Sequence, residues 1–192
     1  YSSAASDVYK RQSRYGIEDA KTARQWEKHY DRFDVTKEPN EPNRFNYVVE
    51  VNPWDPKSTP VKHTALGRFK HEGANIHVTN DGTVVAYSGD DSRFEYIYKF
   101  VSSRKVRSGN SDKDREENMK ILDEGTLYVA TFEGNNDDFD ENNPPEGEKF
   151  DGTGKWIKLV TVKEDGSAES HVDGMSAEEV IILSLIHISE PT

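Results

Sequence analysis

Lys70-His71-Glu72-Gly73-Ala74-Asn75-Ile76-His77-Val78-Thr79-Asn80-Asp81-Gly82-Thr83-Val84-Val85-Ala86-Tyr87-Ser88-Gly89-Asp90-Asp91-Ser92-Arg93-Phe94-Glu95 contains two short apolar runs joined by Asn80-Asp81-Gly82. Asp-Gly between such runs is a strong hairpin signal. With Asp81 and Gly82 as the two loop residues of a type I′ turn, Asn80 pairs with Thr83. Val78 then faces Val85, Ile76 faces Tyr87, Ala74 faces Gly89 and Glu72 faces Asp91. Side chains alternate along strands, so this set shares one face. Two carboxylates meet at its open end, and opposed like charges destabilise a strand pair. Two readings follow. Either the end is frayed and both carboxylates sit in water, or a cation lies between them.

Outward from the hairpin the chain reads as short strands separated by turns. Phe45 to Val51 is an extended run stopped by Asn52-Pro53-Trp54-Asp55-Pro56. Glu50 is expected to face solvent. Val61 to Phe69 is a second extended piece. Phe94 to Val101 places Phe94, Tyr96, Tyr98 and Phe100 on one face, a row suited to core packing. Residues 102 to 123 read as a charged loop with one helical turn around Glu116 to Leu122. Gly125 to Phe132 and Trp156 to Val162 are further strands. Asn135 to Lys155 is an acidic loop holding Asp137, Asp138, Asp140 and Glu141, without the spacing of an EF-hand. Ser176-Ala177-Glu178-Glu179 is a capping box opening a helix. Many strands and almost no helix define an all-β architecture, a β-propeller or a β-sandwich.

The 192 residues carry a net charge of −11 and no cysteine. Nucleic-acid binding needs a basic footprint, which is absent. Disulfides and cysteine-based zinc sites are excluded from this sequence. No stretch approaches the ~20 apolar residues of a membrane span. There is no Gly-x-Ser-x-Gly, Walker or dinucleotide motif. His29, His63, His71, His77 and His171 are scattered, without metal-ligand spacing. Oxygen chemistry remains: Glu72, Asp90, Asp91 and Glu95 gather near one hairpin end, and hard cations take several carboxylate oxygens. Lys70, Arg68 and Arg93 are close in sequence and suit an anionic phosphate ester. For Arg68 an exposed strand-edge position is the expected one.

Both ends of the chain read differently from the middle. Residues 1–12 resemble the in-frame translation of a transposase-based sequencing adapter, and residues 183–192 resemble the complementary one. They are set apart as foreign tails. Residues 13–182 are then an internal piece of a longer polypeptide.

Within that piece, Arg32-Phe33-Asp34-Val35, Lys37 through Phe45, Val48 through Pro56 and Ser58-Thr59-Pro60-Val61-Lys62 form a series of specific motifs. Thr64 through Ala74, Gly89 through Phe100 and Leu122 through Ala130 continue it. Together they resemble the PhoX-type bacterial alkaline phosphatases. The resemblance implies a six-bladed β-propeller, of which residues 13–182 would form one to three blades. It implies phosphomonoester hydrolysis at a cluster of iron and calcium ions, and twin-arginine export to the periplasm or beyond. Glu72 and Asp91 carry over as metal ligands, with Asp90 and Glu95 as weaker candidates and Lys70 and Arg93 as weak substrate-binding candidates. The family's iron-ligating cysteine and its later Arg- and Glu-containing motif have no counterpart here, so residues 13–182 alone are expected to be inactive. The alternative implied function is a non-catalytic, calcium-binding propeller scaffold of the same broad family.

Overall fold

A computed structural model describes residues 24–133 and 153–184. Most of the acidic loop, with Asp137, Asp138, Asp140 and Glu141, lies outside the described residues, as do residues 1–12 and 185–192 of the two tails.

The all-β expectation holds. A two-stranded antiparallel sheet pairs β1 (Val48–Glu50) with β2 (Val61–His63). A six-stranded antiparallel sheet runs in chain order: β3 (His71–Val78), β4 (Thr83–Asp90), β5 (Ile97–Lys105), β6 (Gly125–Glu133), β7 (Thr153–Val162) and β8 (Ala168–Ser170). The sheet is an open meander with β3 and β8 at its edges. Beside four short 3-10 turns, the described residues hold two short α-helices, α1 (Asp112–Asn118) and α2 (Ala177–Ile182). Both open on a capping box, Ser111 with Asp114 and Ser176 with Glu179. In each, a serine oxygen accepts a backbone N–H that the first helical turn leaves unpaired. The second box is the one read in the sequence. The helical turn expected around Glu116 begins four residues earlier, because Ser111 fixes its start.

One face of the large sheet is buried. Ala86, Tyr98, Phe100, Leu127, Val129 and Val160 pack there against Ala65, Leu66, Phe69, Ala177 and Val180. Each large side chain so buried contributes about 1.5–3 kcal/mol. Leu183 and Ser184, set apart with the tail by sequence, are buried here too. Tyr98 and Phe100 occupy the core as their alternation requires. Phe94 does not. It precedes the strand in a loop, with φ +66, and its ring is fully exposed. Val61 to Phe69 is only partly strand, because Thr64–Leu66 forms a 3-10 turn.

Arg68 corrects the expectation of an exposed strand-edge charge: it is fully buried. Its guanidinium donates to the carbonyls of Phe45 (Nε, 3.1 Å), Pro42 (Nη2, 2.8 Å) and Ile182 (Nη1, 3.4 Å). Its backbone N–H donates to Ser184 Oγ at 3.2 Å. A buried guanidinium is tolerated only where its donors find acceptors. Here those acceptors come from two segments far apart in sequence, Pro42 to Phe45 and the end of α2, so one side chain ties both to the sheet. His63 plays a parallel part. It is fully buried, with Nε2 2.8 Å from Glu50 and Nδ1 2.8 Å from Asp123. Glu50, expected in solvent, is half-buried against His63, and His63 through Asp123 fastens the small sheet to the segment entering β6.

Candidate metal centre at the open end of the hairpin

The β3–β4 hairpin exists as read, but its register differs. Gly82 N–H donates to Thr79 carbonyl and Thr79 N–H donates to Thr83 carbonyl, each at 2.9 Å. The loop therefore has three residues, Asn80, Asp81 and Gly82, with Gly82 left-handed at φ +88. This is a type I turn closed by a glycine bulge, the next most common hairpin solution after the two-residue loop. Val78 faces Val84, Ile76 faces Ala86 and His77 faces Val85. A second bulge sets Gly73 and Ala74 against Ser88, after which Glu72 faces Gly89 and His71 faces Asp90.

A one-residue slip exchanges the faces of a strand. The second bulge therefore leaves Glu72 on the outer face, opposite a glycine, and the Glu72–Asp91 apposition does not form. Asp91 lies past the strand end, where its N–H donates to Lys70 carbonyl at 2.9 Å. Asp90 instead turns onto the inner face, in line with Ala86 and Ser88. On that face His71 is pinned by Ser88 Oγ at 2.9 Å and Gly67 carbonyl at 3.1 Å, and burial lowers its pKa.

Asp90 is the carboxylate the structure singles out. Both its oxygens are buried and neither has a hydrogen-bond partner. Burial pushes its pKa up, and the negative charge of Glu95 pushes it further. Ser92 and Lys70 lie near enough to oppose that shift, but neither completes a hydrogen bond to an Asp90 oxygen. A buried carboxylate is ordinarily paired, because leaving it unsatisfied costs about 1–3 kcal/mol or more. The loop is closed by Asp90 N–H donating to Tyr96 carbonyl at 3.1 Å. Glu95 N–H donates to Ser92 carbonyl at 3.3 Å within it. The like-charge pair expected from the sequence is therefore present at this end, as Asp90 with Glu95 rather than Glu72 with Asp91.

The donor set is all oxygen, which fits a hard cation such as calcium, and the unpartnered Asp90 oxygens are where one would be held. Among the described residues no three acidic or histidine side chains converge on one point. Lys70 and Arg93 flank this hairpin end and form no ion pair with any described residue.

The fold defines a class: an all-β protein built on an open antiparallel meander, with a buried carboxylate, Asp90, beside Glu95 at one hairpin end. The chain matches the family model of alkaline phosphatase PhoX over residues 1–186. Among solved structures it is similar to Pseudomonas fluorescens PhoX in complex with vanadate, a transition state analogue, with 43% identity and a TM-score of 0.68. That similarity covers 91% of this chain and 28% of the other. No curated protein matches. The chain belongs to the PhoX alkaline phosphatase family. It spans little more than a quarter of the solved relative.

Proposed function

We propose that the full-length protein containing this chain hydrolyses phosphomonoesters at a calcium and iron centre, and that the open end of the β3–β4 hairpin is one wall of it. The observation that carries this reading is the buried, unpartnered carboxylate of Asp90 beside Glu95 in a chain of the PhoX family. Asp90 and Glu95 hold a cation from the inner face. Glu72 and Asp91 reach it, or a second cation, from the outer face and the loop. Lys70 and Arg93 bind the phosphoryl oxygens, where charge-assisted hydrogen bonds are about twice as strong as neutral ones. When bound, the metal ions supply positive charge that offsets the charge developing on the phosphoryl group. The carboxylates of this chain carry no proton in the reaction. The remaining ligands come from outside the chain, in the rest of the six-bladed propeller that the family resemblance implies. Export to the periplasm or beyond belongs to the same reading.

The test is turnover of an aryl phosphate by the full-length protein, with metal content measured in parallel. Chelation abolishes turnover, and calcium with iron restores it. Asp90→Ala and Glu72→Ala each lose metal and activity together. Turnover indifferent to chelation overturns the metal reading. Calcium binding without turnover of any phosphomonoester supports the non-catalytic scaffold instead.

A further inference from the structure

The loop that follows β4 at this end carries the most exposed aromatic ring among the described residues. Phe94 is fully exposed and its backbone is left-handed at φ +66. Both features are unfavourable for phenylalanine. The left-handed region crowds a Cβ against the following carbonyl, and an exposed ring forgoes hydrophobic burial. The alternation of Phe94, Tyr96, Tyr98 and Phe100 would have put this ring in the core with the last two. The backbone turns it out instead.

Three further observations describe its surroundings in the chain. The Asp90–Tyr96 hydrogen bond ties off Asp91 to Glu95 as a closed loop, with Phe94 two residues, at most about 7 Å of chain, from the clasp. Arg93, its neighbour, is exposed and forms no ion pair with any described residue. Glu95, its other neighbour, is the residue whose charge reaches Asp90. One loop therefore presents, in consecutive positions, a free guanidinium, an unshielded aromatic face and a carboxylate of the candidate metal wall. A phosphomonoester with a flat, apolar alcohol part has the complementary chemistry: an anionic head for Arg93 and the metal, and a ring for Phe94.

We propose that Phe94 is a specificity-determining residue that stacks on the leaving group of aryl phosphate monoesters; this rests on the phosphatase reading above. In the reaction the water oxygen bonds to phosphorus as the ester P–O bond breaks. The departing alcohol oxygen takes the electron pair and gains a proton, leaving phenol and inorganic phosphate. Phe94 exchanges no proton or electron. It holds the ring while this happens, and offset or edge-on ring contacts of this kind are geometrically selective.

The experiment compares p-nitrophenyl phosphate with glycerol 2-phosphate, which has no ring, as substrates of the full-length protein. Phe94→Ala raises KM for the aryl ester about tenfold, an effect of the size ring contacts supply. It leaves kcat within about twofold and leaves both constants for glycerol 2-phosphate unchanged. Phe94→Trp keeps the aryl preference, and Phe94→Leu loses it with an unaltered melting temperature. An equal loss on both substrates, or a lowered melting temperature, assigns Phe94 to packing and overturns the proposal. KM values unchanged on both substrates overturn it as well. A wild-type protein inactive on both esters sinks the phosphatase reading and takes this one with it, whereas an active wild type with silent Phe94 variants sinks this one alone.

Discussion

At the closed end of the β3–β4 hairpin Asp81 is exposed and fully engaged. Its Oδ1 accepts from Thr79 Oγ1 at 2.6 Å and from Thr83 N–H at 3.2 Å, and Oδ2 pairs with Lys105 Nζ at 2.8 Å. These partners favour the ionised form and hold its pKa far below the ordinary carboxylate range. At the open end Asp90 is in the reverse situation. Its oxygens are buried, unpartnered and beside another carboxylate, and its pKa is raised. The same residue type on the same hairpin is stabilised at one end and strained at the other. A carboxylate that builds a turn finds its donors within the chain. A carboxylate buried without donors costs the local fold, and perturbed groups of this kind cluster at functional sites.

The largest expected consequence is in activity. In the full-length protein, Asp90→Ala lowers turnover of an aryl phosphate by at least about 100-fold, because even outer-shell losses at metal sites cost 10–100-fold. Asp81→Ala leaves turnover unchanged. Similar losses from both variants would break the contrast, since Asp81 would then act beyond the turn. Next in size is the turn itself. Gly82 sits at φ +88, so Gly82→Ala puts a Cβ into the left-handed region and costs about 1–2 kcal/mol of folding stability. A denaturant midpoint measures this. The added Cβ meets Lys105 Cβ at 3.5 Å, an ordinary contact, so the cost is one of backbone conformation. Gly82→Asn recovers most of it, as asparagine tolerates that region.

The turn also explains what could be read from the sequence and what could not. Asn80-Asp81-Gly82 announces a hairpin, and the hairpin is there. The same three residues satisfy both a two-residue type I′ loop and a three-residue type I loop with a glycine bulge, and these differ by one residue of register. With a side-chain period of two, that residue puts Asp90 rather than Asp91 on the core face, and the second bulge at Gly73 and Ala74 turns Glu72 outward. The sequence could place the carboxylates at this end but not say which of them would be buried. Arg68 and His63 were opaque for another reason. Their partners are Pro42, Phe45 and Ile182 for the first, and Glu50 and Asp123 for the second. No local pattern connects residues so far apart. Arginine is rarely buried, so its default reading is the surface. Phe94 was drawn into a strand by its neighbours' alternation. Nothing in a run of alternating aromatics signals a positive φ.

A smaller effect concerns the stability of the 192-residue chain. Asp90→Asn removes a carboxylate whose burial opposes folding and raises the melting temperature by about 2 °C, which for a chain of this size corresponds to somewhat under 1 kcal/mol. The modest figure reflects the partial solvent access of the rest of the side chain. Asp81→Asn, which gives up the pairing with Lys105, lowers the melting temperature. Equal shifts of the same sign would mean that the two ends do not differ in the way their hydrogen bonding indicates.

The smallest effect, and the most specific, is in pH dependence. Stability rises with pH wherever the unfolded chain binds more protons than the folded one. For Asp81 the folded pKa lies below the ordinary 3.8, so its stabilisation is fully present above 3.8 and is lost as pH falls through the lowered folded value. For Asp90 the folded pKa lies above 3.8, so the folded state holds the extra proton. Its contribution is neutral below 3.8 and turns unfavourable as pH rises through the raised value. Urea midpoints from pH 2 to pH 7 therefore separate the two. Asp81→Asn is less stable than wild type at pH 7 and converges on it from below in acid. Asp90→Asn is more stable at pH 7 and converges from above. Calcium, if held at Asp90, stabilises the wild-type chain only above the raised pKa, where the carboxylate is free to bind it, and leaves Asp90→Asn unmoved. Convergence of both variants from the same side would show that burial at the open end is matched by interactions at Asp90 itself. The case for a ligand there would then rest on activity and metal content alone.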